Sequence, residues 1–125
     1  MINRVDHLVL TTTNLDTCLD FYQRILKMSV TTFGEQRYAL QFGQQKINIH
    51  QYGKEFEPKA HLPVPGSLDL CFISDIPLLD VQKHLEQQDV KIIEGPVQRT
   101  GATGKILSLY LRDPDLNLIE ISQYI

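Results

Sequence analysis

The chain has 125 residues, 42% of them hydrophobic and 22% charged, with a formal net charge of −3. That length supports one domain with its own core, and mild acidity offers no basic face for DNA or RNA. No apolar run approaches the ~20 residues that span a bilayer, and Met1-Ile2-Asn3-Arg4 leads straight into a strand, so a cytoplasmic protein without membrane partners is expected.

Residues 4–12 alternate apolar and polar side chains and include β-branched Val and Thr, which predicts a strand. Asn14 reads as a helix N-cap, followed by Leu15, Leu19, Tyr22, Ile25 and Leu26 at helical spacing. Short strands are predicted at 28–33, 37–42 and 46–52, with turns at Gly34-Glu35 and Gly43-Gln44. Gly53, Pro58, Pro63, Pro65 and Gly66 break the next stretch into a linker. A strand at 67–74 leads to a helix capped by Asp75, with Pro77 in its first turn and Leu78, Leu79, Val81 and Leu85 on its buried face. Residues 90–94 predict a strand and 95–104 a long glycine-bearing loop. Strands at 105–112 and 117–123 follow, joined by Asp113-Pro114-Asp115-Leu116. Each half therefore reads β-α-β-β-β: module one 1–53, linker 54–66 and module two 67–125 of a single domain.

The halves also echo each other in wording. Ile47-Asn48-Ile49-His50-Gln51-Tyr52 returns as Ile119-Glu120-Ile121-Ser122-Gln123-Tyr124, and Val5-Asp6-His7-Leu8-Val9-Leu10 matches Ser67-Leu68-Asp69-Leu70-Cys71-Phe72. Sorted by strand parity, each strand has one strongly apolar row, such as Leu107, Leu109 and Leu111. The opposite row mixes apolar groups with single ligand-type residues: His7, Asn48 with His50, Asp69, Glu120. A solvated face would carry more Lys, Thr and Arg; this one has the make-up of a cavity wall. An ionised Glu120 alone in such a wall is costly, and a divalent cation held by His7 and carboxylates removes that cost.

Plainer readings stand beside this one. Taken singly, His7 reads as a core histidine bonded to a carbonyl, His50 as a residue near a sheet edge, Asp69 as a turn cap and Glu120 as an exposed strand residue; taken jointly, at repeat-equivalent positions, they point to a metal site. His84 lies on the exposed side of a helix and His61 in the linker. Cys18 and Cys71 are too few for a disulfide framework and read as small core residues. Gly104-Lys105 lacks the Ser or Thr and the upstream glycine of a phosphate-binding loop. The 95–104 loop reads as a plain connection or a substrate cover, with Arg99 and Lys105 as attractors of an anionic group and Tyr110 and Ser108 as orienting groups.

Asp6-His7-Leu8-Val9-Leu10 followed by a helix with Phe21-Tyr22, and the closing Asp113-Pro114-Asp115-Leu116-Asn117-Leu118-Ile119-Glu120, resemble the vicinal oxygen chelate superfamily. That group includes glyoxalase I, extradiol dioxygenases, and fosfomycin- and bleomycin-resistance proteins. Gly53-Lys54-Glu55-Phe56-Glu57-Pro58-Lys59-Ala60 and Gly95-Pro96-Val97-Gln98-Arg99-Thr100-Gly101-Ala102 resemble, more narrowly, the glyoxalase-domain-containing protein 5 group and bacterial relatives described as virulence proteins. The resemblance implies an α+β fold of two βαβββ modules, curved mixed sheets around a cavity, and a homodimer. It also implies a divalent metal (Ni, Zn, Mn, Co or Fe) that a small substrate chelates through adjacent oxygens. By position, His7 matches the first-strand ligand and Glu120 the last-strand ligand. Asn48 stands where glyoxalase I has a glutamate, Asp69 where a histidine is usual, and Leu116 where the turn usually has glycine; His50 is placed to compensate for Asn48. The expected metal set is His7, His50, Asp69 and Glu120, with Glu120 as catalytic base of a glyoxalase-like lyase or isomerase. The alternatives are a non-catalytic binding protein of the bleomycin-resistance type and an extradiol dioxygenase-like oxygenase.

Overall fold

A computed structural model describes all of residues 1–125, which divide into two units, 1–67 and 68–125. The first contains β1 (His7–Thr12), α1 (Leu15–Asp20), a π-helical turn (Phe21–Ile25), β2 (Ser29–Phe33), β3 (Arg37–Phe42) and β4 (Gln45–Gln51). The second contains β5 (Asp69–Ile73), α2 (Leu78–Gln87), β6 (Glu94–Thr100), β7 (Lys105–Arg112) and β8 (Leu118–Tyr124). Both are β-α-β-β-β, and their four-stranded sheets have the same order, β1-β4-β3-β2 and β5-β8-β7-β6. In each, the first and last strands pair parallel and the remaining neighbours antiparallel. The fold is α+β with two mixed sheets.

The repeated phrases occupy matching registers. Leu8 lies opposite Ile47 as Leu70 lies opposite Ile119, and Val9 opposite Asn48 as Cys71 lies opposite Glu120. The apolar row of each sheet is its core side. Leu10, Leu40 and Ile47 in the first unit and Leu109, Leu111 and Ile119 in the second are fully buried. Each such side chain contributes about 1.5–3 kcal/mol by leaving water.

Asn14 caps α1 by accepting a bond from the Thr17 N–H. The helix then widens: the Leu26 N–H reaches the Phe21 carbonyl five residues back, the bond that defines a π turn. Cys18, Phe21, Tyr22 and Ile25 face inward. In the second unit α2 packs on β7 and β8, burying Leu78, Val81 and Leu85. Leu79, expected on that buried face, is instead exposed. Asp75 is not the cap of α2. Pro77 occupies the N-cap position without a side-chain bond, while the Leu78 N–H is satisfied by Gln123 Oε1 on β8.

The larger correction concerns 90–104. The strand expected at 90–94 starts only at Glu94, and the expected loop is mostly strand β6, through Thr100. A register shift between Glu94 and Val97 absorbs Gly95-Pro96. A Cβ at Gly95 would collide with the Ser108 carbonyl, so this glycine allows two backbones to approach closely within a sheet.

The turn between β7 and β8 is held by side chains. Asp113 Oδ1 accepts bonds from the Asp115 and Asn117 N–H groups, and Asp113 Oδ2 from Asn117 Nδ2. Asn117 Oδ1 in turn accepts a bond from the Leu68 N–H at the foot of β5. Leu116, where glycine is usual in such turns, sits at φ +70° with its side chain in solvent.

Candidate active site

The second unit's polar face is organised as rows across its strands. Cys71, Glu120, Tyr110 and Glu94 form one row; Ile73, Ser122, Ser108 and Val97 form the next; Tyr124, Ile106 and Arg99 form the third. A cleft of about 450 Å³ opens on this face, lined by members of all three rows and by hairpin residues 100–102.

Glu120 stands on the cleft wall, and its Oε2 accepts bonds from Ser108 Oγ at 2.6 Å and Ser122 Oγ at 3.3 Å. The two serines are fully buried, lie 2.6 Å apart, and Ser122 Oγ lies 3.3 Å from Cys71 Sγ. Counting protons orients this chain. Ser108 has one hydroxyl hydrogen, spent on Glu120, so the single Ser122 hydrogen is shared between Ser108 Oγ and Glu120 Oε2, and the Cys71 thiol donates to Ser122. Burial, reinforced by the Glu120 charge and opposed by the Ser122 bond, pushes the Cys71 thiol up. It remains a protonated donor rather than a nucleophile.

Arg99 donates from Nε to Tyr110 Oη at 3.1 Å, from Nη1 to the Gln98 carbonyl at 3.1 Å, and from Nη2 to Glu94 at 3.0 Å. Burial raises the Tyr110 phenol, aided by Glu120 and opposed by Arg99. At the other end of the cleft Tyr124 shifts down, because the Thr103 side chain bonds its oxygen, with the Thr103 N–H and the Ala102 backbone adding to the effect and burial opposing it. A Cβ at Gly101 would press on this hydroxyl and on Ile106 at 2.9 Å.

The first unit's polar centre is smaller and differently built. Asn48 lies between Val9 and Ala39, and His50 opposite Thr11. Phe56, from the linker, covers His50 at 5.7 Å between ring centroids and Arg37 at 4.3 Å. A cavity of about 20 Å³ remains among Phe33, Arg37, Asn48, His50 and Phe56. Asn48 Oδ1 and His50 Nδ1 are buried there without a protein partner. Burial lowers the His50 imidazole, Arg37 adds to the shift and Glu55 opposes it.

Of the expected metal donors, His7 and His50 thus belong to the first unit, Asp69 and Glu120 to the second. His7 opens β1 opposite Lys46, four places from the Thr11–His50 pair; Asp69 opens β5 opposite Leu118, two places from the Cys71–Glu120 pair. No three His, Cys, Asp or Glu side chains gather closely enough to hold an ion. The individual donors nevertheless suit one. Asp6 Oδ1 lies 2.8 Å from His7 Nδ1, the carboxylate–histidine pairing typical of metal-bound imidazole. Glu120 is anchored through one oxygen only by the serines, and Asn48 Oδ1 and His50 Nδ1 lack partners. Imidazole nitrogen with carboxylate and amide oxygen fits a borderline or hard divalent cation.

Several contributors differ from the sequence expectation. Cys71 is an exposed cleft residue, not a core one; its parity with Asp69 was the available signal. Arg99 lines the cleft from strand β6 rather than from a flexible loop, and Lys105 is absent from the lining. Ser108 is buried beneath Glu120. Ser122, Tyr124 and Phe56 carry no motif that singles them out, though Ser122 and Tyr124 follow Glu120 at intervals of two along β8, on the same face.

The chain is 57% identical over 125 residues to virulence protein STM3117 of Salmonella typhimurium, covering 100% of this chain and 87% of that protein. The crystal structure of that protein matches with a TM-score of 0.99 over 100% of this chain and 99% of that one. Identity to the glyoxalase domain-containing protein RDO1 of Mycosarcoma maydis is 58% over 123 residues, 98% of this chain and 69% of the relative. Two more distant structures share the fold alone. A lactoylglutathione lyase from Agrobacterium tumefaciens matches at 18% identity and TM-score 0.74, over 98% of this chain and 94% of that one. The antibiotic binding protein TnmS3 from Streptomyces matches at 17% and 0.78, over 99% and 98%. The model of the Glyoxalase/Bleomycin resistance protein/Dioxygenase superfamily matches residues 4–121, and the chain belongs to that superfamily.

Proposed function

We propose that the protein is a metal-dependent, glyoxalase-like lyase or isomerase acting on a small metabolite with adjacent oxygen atoms. The observation that carries this reading is Glu120: a carboxylate on the wall of a 450 Å³ cleft, one oxygen fixed by two buried hydroxyls. His7, His50, Asp69 and Glu120 are the residues that would hold the divalent ion, which supplies Lewis-acid polarisation of a carbonyl when bound. Glu120 removes a proton from the carbon beside that carbonyl and returns it to the neighbouring one, the role of a general base that becomes the acid. Ser108 and Ser122 hold the carboxylate in place, and the Tyr110 hydroxyl faces the same cleft to orient a substrate oxygen. A homodimer in which both kinds of unit contribute donors belongs to the same reading.

Metal analysis of protein purified without chelator is the first test, followed by titration with Ni, Co, Mn, Zn or Fe(II). The expected outcome is a bound divalent ion, a raised melting temperature on refilling, and loss of both in His7→Ala and Glu120→Gln. A protein that stays empty and unresponsive sinks the catalytic reading. A second reading, a small-molecule binding protein without catalysis, is favoured by the apolar and aromatic share of the cleft, with Ile73, Ile106, Tyr110 and Tyr124. It gains the field if ligands bind equally well with and without metal.

A further inference from the structure

We propose that Arg99 selects the ligand of this cleft, and that the ligand is a small monocarboxylate whose charged end faces Arg99. The inference rests on the functional reading above for the role of Glu120, and adds the chemical class and the direction of binding.

Arg99 is the only cationic side chain in the lining, and Glu120 the only carboxylate. The chain as a whole carries −3, so anions are not drawn to it by overall charge, and the attraction must be local. Arg99 starts opposite Ile106 in the third row, yet its guanidinium bonds Tyr110 and Glu94 in the first. It spans the narrow middle row, where Ser108, Ser122 and Val97 are short. The planar fork is preset by three bonds on three different nitrogens, from Nε to Tyr110, Nη1 to Gln98 and Nη2 to Glu94. Five N–H groups minus these three leaves two for a ligand. Its partner Glu94 is more than half exposed, and an exposed pair of that kind is weak enough to share or yield.

Charge balance chooses between anion types. One fixed cation faces one fixed carboxylate, so a monoanion placed at the Arg99 end leaves the cleft with a single negative charge in excess. In the metal-free cleft a dianionic phosphate or phosphonate would leave two, close to Glu120, with no second cationic side chain in the lining to compensate. A planar carboxylate also matches the arginine fork in shape. The remainder of the lining, Ile73, Ile106 and the Tyr124 ring, accommodates an apolar body.

The test uses the full-length protein in chelator-containing buffer, with mandelate, mandelamide and phenylphosphonate as probes, read by calorimetry and by amide chemical shifts. Mandelate is expected to bind about tenfold or more tightly than mandelamide, the value of one charge-assisted bond pair. Arg99→Met is expected to remove that preference, with Arg99→Lys restoring part of it and Glu120→Gln leaving it intact or larger. Equal binding of mandelate and mandelamide, no binding of either, retention of the preference in Arg99→Met, or tighter binding of phenylphosphonate overturns the proposal. Should Arg99→Met misfold, the Arg99→Lys and Glu120→Gln arms decide it alone. Metal titration is separate: a carboxylate preference in a protein that holds no metal sinks the catalytic reading and leaves this one standing, and the reverse result does the opposite.

Discussion

The two units present the same backbone register with opposite chemistry at its centre. Between Val9 and Ala39 the first unit places the neutral amide of Asn48; between Cys71 and Tyr110 the second places the carboxylate of Glu120. Around Glu120 the neighbouring hydroxyls converge, and space is left open for a ligand. Around Asn48 the space is nearly filled, because Phe56 of the linker covers His50 and Arg37. The comparison teaches that topology sets where a functional residue can stand, while side chains one row away decide whether it is anchored, exposed or capped.

The most severe way to break this contrast is at its two centres. Glu120→Gln should lower divalent-metal affinity beyond the ~100-fold that outer-shell changes reach, while Asn48→Ala changes it by less than about tenfold, as suits a neutral donor. Calorimetric titration with Ni or Zn compares them; equal losses would erase the distinction. Next in size, Leu40→Ala and Leu111→Ala probe what the units share, since both are fully buried opposite equivalent isoleucines, Ile47 and Ile119. Each should cost about 2–5 kcal/mol in denaturant unfolding. A large inequality would show that the two cores are packed to different standards.

A smaller effect is expected beneath Glu120. Ser108→Ala strips the short bond to Oε2 and should cost about 1–3 kcal/mol. The loss should shrink when Glu120→Gln is already present, as a double-mutant cycle would register. The smallest effect lies in the linker of the first unit. The Gly53 N–H bond holds the Glu55 carboxyl below its usual range, with the Lys59 charge assisting. A lowered folded pKa means stability that is complete above about 4.5, the ordinary value, and lost as pH falls below it. Glu55→Gln should therefore lower the melting temperature slightly at neutral pH and not at all in strong acid, as thermal melts across pH would show.

Much of this was legible in the sequence for a definite reason. Alternation in 46–52 and 118–122 separates core from cleft, and the echo between the halves aligns Leu8 with Leu70 and Ile47 with Ile119, the pairs that the sheets place in register. The failures have local causes. Gly95-Pro96 punctuates the chain like a loop, yet the glycine serves a close backbone approach at a bulge inside β6. Residue type makes Cys71 look like a core residue, against its own parity with Asp69. Asp75 has the chemistry of a cap, but Gln123, 45 residues beyond Leu78, performs the capping. The convergence of Ser108, Ser122 and Cys71 on one carboxylate depends on register across three strands, which no single stretch of sequence contains. Phe56 lies in a proline-broken segment whose folding back over His50 has no periodic signature.

The Asn117 bond to the Leu68 N–H links two points 49 residues apart in the chain. That asparagine also holds Asp113 in the turn that starts β8, three residues before Glu120. β5 and β8 are therefore tied at one end by that amide and by the bond from the Leu118 N–H to the Leu68 carbonyl. The closure that seats β5 thus also fixes the start of the strand that bears Glu120, so the cleft wall depends on contacts distant in the chain.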